Sequence, residues 1–162
     1  MIMAALRLLA VAAASGRIAY VYLIGNRLMD WRISDRASDS EEEAAKSAAR
    51  WIETLQPDVV VTEDTLGAKK KGHHTKEIIA AIAAVAAEAE LLDVCVVREQ
   101  RYPNKYVEAR ALCERYPDLT PWLPHRRLLL DNEHRNTVIF EALALAQVIL
   151  QGPTPALAYA GQ

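Results

Sequence analysis

Hydrophobic and polar positions at the start of the chain follow the pattern of three β-strands. Leu6–Ala12 is a continuous apolar run, which is typical of a strand that is buried on both faces. Arg17–Ile24 is rich in aromatic and β-branched residues, and the pair Gly25-Asn26, a common hairpin turn, joins it to Arg27–Ser34. The pattern therefore predicts an antiparallel meander of three strands.

The pattern then changes to helices that alternate with short strands. Ser38 and Glu41 have the spacing of a capping box, and the helix that follows ends before Pro57. The later predicted elements are a strand over Asp58–Thr62, a helix over Thr75–Leu91, a strand over Asp93–Val97, a helix over Asn104–Arg115, a loop over Pro117–Pro124 and a helix over Asn132–Leu150. This order predicts an α/β, ribonuclease H-like fold: a mixed five-stranded sheet, with the last two strands parallel to the first and helices on both faces.

Composition limits the classes of protein that remain. The 162 residues are 52% apolar, which favours a single domain over residues 1–150, followed by a flexible tail over 151–162. The net charge of −2 excludes a uniformly basic nucleic-acid-binding surface, so any such surface requires local clustering. Cys95 and Cys113 lie far apart and outside any CxxC pair, which predicts two reduced, buried thiols rather than a metal site.

The first residues resemble a signal peptide only superficially. Met1–Ser15 contains an apolar run and small residues, but its positive residue, Arg7, lies inside the run, so a buried first strand is the better interpretation. No apolar stretch reaches the roughly 20 residues of a transmembrane helix. We therefore expect a cytoplasmic protein without a membrane partner.

Three segments resemble the RuvC-type Holliday-junction resolvases of the ribonuclease H-like superfamily, over roughly residues 6–150. They are LLAVAAASGRIAYVYLIGNRL, QPDVVVTED and EHRNTVIFEALALA. The resemblance implies hydrolysis of phosphodiesters by two Mg²⁺ or Mn²⁺ ions, held by carboxylates from the first strand, the fourth strand and the last helix. Glu63 matches the fourth-strand glutamate, and Glu141 matches the acidic position of the last helix.

Two positions depart from that pattern. Ala12 stands where the family has its first-strand aspartate, and Val138 stands where resolvases often carry another acid. Neither side chain has an oxygen that can bind a metal ion. The departures put the usual two-metal catalysis in doubt.

Neighbouring residues offer a rebuilt site. A catalytic cluster is conceivable from Glu63, Asp64, Glu133 and Glu141, with His134 as a ligand or general acid, because His134 lies two helical turns before Glu141. Within that cluster Glu63, Asp64 and Glu141 are the candidate metal ligands. The alternative is that these acids are helix-capping or solvated surface residues.

A basic segment follows the fourth predicted strand and opens the next helix. Its lysines and histidines, together with two basic residues of a later loop, are candidates for contacts with phosphates. The candidates are Lys69, Lys70, Lys71, His73, His74, Lys76, Arg101 and Lys105. The alternative is a solvated turn whose charges promote solubility.

The sequence therefore predicts a resolvase-like nucleic-acid-binding protein acting on branched or duplex DNA. If it is active, the resemblance implies a Mg²⁺- or Mn²⁺-dependent endonuclease, and two-fold junctions favour a homodimer. The loss of an acid at Ala12 keeps open a catalytically inactive structural or protein-interaction module on the same fold.

Overall fold

The fold is a sheet of five strands flanked by helices, in a computed structural model that describes residues 5–66, 71–98, 101–124 and 134–151. The strands are β1 (Arg7–Ala14), β2 (Arg17–Ile24), β3 (Arg27–Ser34), β4 (Val59–Glu63) and β5 (Leu92–Val96). The α-helices are α1 (Glu41–Leu55), α2 (His73–Glu88), α3 (Lys105–Arg115) and α4 (Thr137–Leu150). Short 3₁₀ turns cover Arg36–Ser38 and Pro117–Trp122.

Strand β1 lies at the centre of the sheet, whose order is β3-β2-β1-β4-β5. It pairs antiparallel with β2, through Leu9 and Tyr22, and parallel with β4, through Ala10 and Val61. Strand β5 in turn pairs parallel with β4. The predicted mixed sheet, with an antiparallel meander and two parallel strands, is confirmed.

Each face of the sheet carries its own hydrophobic core. Leu9, Val11 and Ala13 of β1 point to the face covered by α1 and α2, where Trp51 and Ile78 are buried. Alternate residues of the same strand, Leu8, Ala10 and Ala12, point to the face covered by α3 and α4. Because successive side chains of a strand point to opposite faces, β1 needs apolar residues at nearly every position.

Helix α4 is buried almost all round, which explains its continuous apolar sequence. It packs on β1 and β2 on one side and on α3 on another. Phe140, Leu143 and Leu145 are at most 2% exposed. A helix that is apolar on all sides needs this kind of enclosed position.

Four details of the prediction were wrong. Ser40, not Ser38, caps α1, because the Ser40 hydroxyl accepts the hydrogen bond from the Glu43 amide. The proline-rich loop contains the 3₁₀ turn noted above, and α4 begins at Thr137 rather than near Asn132. Cys95 is exposed on the edge strand β5, whereas Cys113 is buried.

The predicted domain boundaries stay untested. The single-domain boundary at residue 150 is a prediction, and most of the predicted tail lies outside the described residues. Within the ranges that the structure describes, no helix is long and apolar enough to cross a membrane.

The cap of α1 gives a direct test of the local geometry. Ser40→Ala removes the acceptor for the Glu43 amide and should lower the free energy of unfolding by about 1 kcal/mol. Ser40→Asp retains an acceptor and should leave stability nearly unchanged. Urea denaturation of both variants measures the difference, and equal stability of Ser40→Ala and the wild type would contradict this assignment.

Candidate functional site

A cluster of charged side chains lies at the edge of the sheet where the parallel strands β1, β4 and β5 end. Glu63 is the last residue of β4 and Arg98 follows the end of β5. Parallel strands bring their carboxyl ends to one edge, which is the usual place for a site in an open α/β sheet. Helix α4 contributes Glu141 to the same cluster, and α3 contributes Glu108.

The ammonium group of Lys71 lies between two carboxylates. Its Nζ is 3.2 Å from Oε2 of Glu141 and 3.6 Å from Oε1 of Glu63. The same Nζ donates a hydrogen bond of 2.7 Å to the carbonyl oxygen of Ala13, near the end of β1. All three charged side chains are nearly enclosed, since the Lys71 side chain is 15% exposed and the other two are 12% exposed.

The guanidinium of Arg98 extends the cluster towards α3. It donates a hydrogen bond to Glu108, whose carboxylate is buried, and its Nη1 lies 3.8 Å from Oε1 of Glu141. Glu141 is therefore shared between Lys71 and Arg98. Three carboxylates face two side-chain cations in one continuous network.

Burial and charge act in opposite directions on this network. Burial raises the pKa of Glu63 above its ordinary value, as does the neighbouring charge of Glu141, while Lys71 and Arg98 oppose the rise. Burial alone would lower the pKa of Arg98, but Glu108 and Glu141 more than offset it, so that pKa is raised. The guanidinium is therefore held in its charged form.

The two positions that lack an acid are packed with apolar side chains. Ala12 is 2% exposed and Val138 is 1% exposed, and both belong to the core beneath α4. Ala12 lies two residues beyond Ala10, the partner of Val61, just as Glu63 lies two residues beyond Val61. Ala12 therefore lies as far beyond the last recorded β1–β4 pair as Glu63 does, and its methyl side chain offers no ligand.

The residues that the structure describes do not fit a two-metal centre. Across the described part of the chain, no group of three or more His, Cys, Asp or Glu side chains is arranged to hold a metal ion. Mg²⁺ requires oxygen ligands at about 2.0–2.1 Å in octahedral geometry. Here the two matching carboxylates and the Ala13 carbonyl are already bound to the Lys71 ammonium.

The other predicted catalytic residues do not all gather here. The Asp64 carboxylate accepts a hydrogen bond from the Leu66 amide, which forms a local turn after β4. His134 precedes α4, and its ring Nδ1 accepts a hydrogen bond from the Asn136 amide. The prediction that His134 and Glu141 share a helix face is wrong, because α4 begins at Thr137, after His134. Glu133 lies outside the described residues.

The predicted basic segment divides between the site and the surface. Lys71 is turned into the acidic cluster, whereas His73 is exposed and contacts Glu77. His74 lies 3.3 Å from the Ser38 carbonyl, and Lys76 is half-buried. Lys69 and Lys70 lie outside the described residues. The phosphate contacts predicted for Arg101 and Lys105 stay predictions.

Arg98 and Glu108 are the members of the cluster that the sequence analysis missed. Arg98 lies two residues after β5 and Glu108 lies in the first turn of α3, and neither belongs to a recognisable sequence motif. Its position in the sequence could have identified Arg98, because it follows a parallel strand that ends at the same edge as Glu63.

Comparison with known proteins supports the fold. No protein-family model and no curated protein matches this sequence. Among solved structures, RuvC of T. thermophilus in complex with a Holliday junction substrate matches with a TM-score of 0.56 and 13% identity, over 87% of this chain and 90% of that one. The fowlpox virus resolvase with Holliday junction DNA has a TM-score of 0.53 and 15% identity, covering 90% and 99% of the two chains.

A third resolvase has the same architecture. The yeast mitochondrial Holliday junction resolvase Ydc2 matches with a TM-score of 0.52 and 10% identity, over 93% of this chain and 80% of that one. The protein therefore has the ribonuclease H-like fold of the RuvC-type resolvases, as the sequence predicted. At these identities the likeness defines the fold, and function has to be argued from the site.

The raised pKa of Glu63 predicts a pH dependence of stability. The folded chain binds a proton at Glu63 more tightly than the unfolded chain, whose carboxyl titrates near 4.5. Stability from this group should therefore fall as pH rises from about 4.5 to the higher folded pKa, and then level off. The check is urea denaturation of the wild type and Glu63→Gln across this interval.

The two proteins should differ in how steeply their free energy of unfolding changes with pH. The free energy of unfolding of the wild type, relative to Glu63→Gln, should decrease with pH over that interval. The exposed substitution Glu53→Gln on α1 controls for the removal of one surface charge. A relative stability that increases with pH would show that Glu63 has a lowered pKa instead.

Proposed function

We propose that this protein binds branched DNA and does not cleave it by metal-dependent hydrolysis. The match of the fold over most of both chains supports the first part, since two of the matching resolvases were solved with Holliday junction DNA. The observation that carries the second part is the ammonium of Lys71 between Glu63 and Glu141.

Two-metal hydrolysis requires ligands that this site lacks. Two divalent ions must bind carboxylate oxygens and hold the attacking and leaving oxygens of the phosphodiester. In this chain Ala12 occupies the position of one expected ligand, and the two carboxylates in the other matching positions are bound to Lys71. The carboxylates of this cluster have a structural partner already, so they serve the fold at the sheet edge rather than hydrolysis.

DNA binding would depend on the basic segment of sequence between β4 and α2. Lys69 and Lys70 immediately precede Lys71 in the sequence. Lysines bind backbone phosphates through charge, independently of base sequence, and release counter-ions as they do so. Affinity gained in this way decreases as salt increases. We also propose that the protein is cytoplasmic and acts as a homodimer, which suits the two-fold symmetry of a junction.

A protein-interaction module on the same fold is the second candidate. Leu92 of the edge strand β5 is 63% exposed, and Val97 just after it is 58% exposed. Apolar side chains at a sheet edge offer contact area to another protein. This candidate predicts the absence of DNA affinity at low salt, which the following experiment measures.

The proposal predicts binding without cleavage. A synthetic four-way junction should be retarded in a gel shift at low salt, more strongly than a linear duplex of equal length, and should stay intact with Mg²⁺ or Mn²⁺. Replacing both lysines in Lys69→Gln/Lys70→Gln should reduce the slope of log affinity against log salt by about one per lysine. Lys46→Gln, on the exposed surface of α1, is the matched control and should bind like the wild type.

Three results would contradict the proposal. Binding that does not change with salt would exclude phosphate contacts as its source. Absence of any junction binding at low salt would favour the protein-interaction module. Metal-dependent cleavage that disappears in Glu63→Gln would establish an active metal centre.

A further inference from the structure

The Lys71 ammonium lies among oxygen atoms from three separate elements of the fold. A lysine ammonium has three N–H donors. Three oxygens lie near it here: the Ala13 carbonyl at 2.7 Å and Glu141 Oε2 at 3.2 Å accept hydrogen bonds, and Glu63 Oε1 at 3.6 Å forms an ion pair. They come from β1, α4 and β4, the same three elements whose acids the resolvase resemblance assigns to metal binding.

We infer that Lys71 is a built-in counter-ion that takes the place of a divalent cation at this site. The inference deepens the proposed non-cleaving function and rests on it for its biological meaning. The Lys71 ammonium replaces the metal, so the charge cluster is stable without Mg²⁺ or Mn²⁺. The side chain is a substitute cation rather than a DNA contact.

Charge balance supports the inference. Glu63, Glu108 and Glu141 carry three negative charges when ionised, and Lys71 and Arg98 carry two positive charges. The network is therefore close to neutral without a metal. Two divalent ions added beside Lys71 and Arg98 would leave it with an excess of three positive charges in a nearly enclosed place, where unbalanced charge is costly.

The position of Lys71 in the chain favours this arrangement. The next residue, Gly72, is the N-cap of α2, and its carbonyl accepts a hydrogen bond from the Lys76 amide. The backbone at the base of the lysine is therefore fixed by the start of a helix. Fixing the backbone lowers the conformational entropy that the ammonium loses when it binds the carboxylates.

Removal of the ammonium should convert the site into one that binds a divalent cation. Lys71→Ala frees the Ala13 carbonyl and the two carboxylates, and it shortens the side chain that fills the space between them. Hard oxygen ligands of this kind suit Mn²⁺ and Mg²⁺. Lys71→Arg retains a cation on a long side chain and should exclude the metal as the wild type does.

The experiment uses the full chain and Mn²⁺ alone, followed by calorimetric titration and by thermal unfolding with and without the ion. We expect no Mn²⁺ binding in the wild type or in Lys71→Arg, and an increase in affinity of at least about tenfold in Lys71→Ala. Lys71→Ala/Glu63→Gln should lose that gain. Lys46→Ala, which removes an exposed lysine of α1, should behave like the wild type.

Without the Lys71 ammonium, the carboxylates of Lys71→Ala could prevent folding when no metal is bound. Circular dichroism is therefore measured with and without Mn²⁺. Folding that Mn²⁺ restores supports the inference. Wild-type binding of Mn²⁺ that Glu63→Gln abolishes would overturn it. A Lys71→Ala chain that gains neither Mn²⁺ affinity nor Mn²⁺-dependent folding would also overturn it.

This outcome is separable from the test of DNA binding. A wild type that excludes Mn²⁺ but fails to bind a four-way junction would refute the proposed function and leave the role of Lys71 intact. A wild type that binds junctions and also binds Mn²⁺ through Glu63 would refute the role of Lys71 and leave the proposed DNA binding intact.

Discussion

The burial of β1 on both faces is the constraint on which the rest of the structure depends. This strand joins an antiparallel half of the sheet to a parallel half, and each set of its alternate side chains supports a different helical layer. Because the parallel strands start from the same end, their carboxyl ends meet at one edge. Glu63, Arg98 and the Ala13 carbonyl are brought together there by strand direction alone.

The same constraint explains the chemistry at that edge. Ala12 continues the apolar face of β1 into the core under α4, so the strand contributes a backbone carbonyl instead of a carboxylate. The remaining acids are nearly enclosed and need positive partners, since an uncompensated buried charge is strongly unfavourable. Lys71 and Arg98 provide them. A resolvase fold is thus combined with a cluster that is balanced by side chains.

The sequence predicted the fold well because the signals for it are local and repeated. The apolar run of β1, the hairpin at Gly25-Asn26 and the alternation of later helices and strands each report burial directly. The start of α4 was placed too early because capping residues near Asn132 resemble a helix start, whereas Thr137 begins the helix. Positions of this kind depend on tertiary contacts that no local pattern contains.

The candidate site could be predicted only in part, for a related reason. Glu63 and Glu141 were identified through the resemblance to the resolvases, and the structure places both in one network through Lys71. The direction of the Lys71 side chain was not predictable, because a lysine in a basic loop has the same sequence pattern whether it faces solvent or a carboxylate. Arg98 and Glu108 were missed because their pairing joins two separate elements.

The most direct measurement is a crystal structure of the wild-type protein grown in Mn²⁺, with anomalous diffraction data collected to locate the metal. We expect the Lys71 ammonium between Glu63 and Glu141, in contact with the Ala13 carbonyl, and no anomalous peak among these groups. A manganese peak bound by both carboxylates, with the lysine displaced, would contradict it.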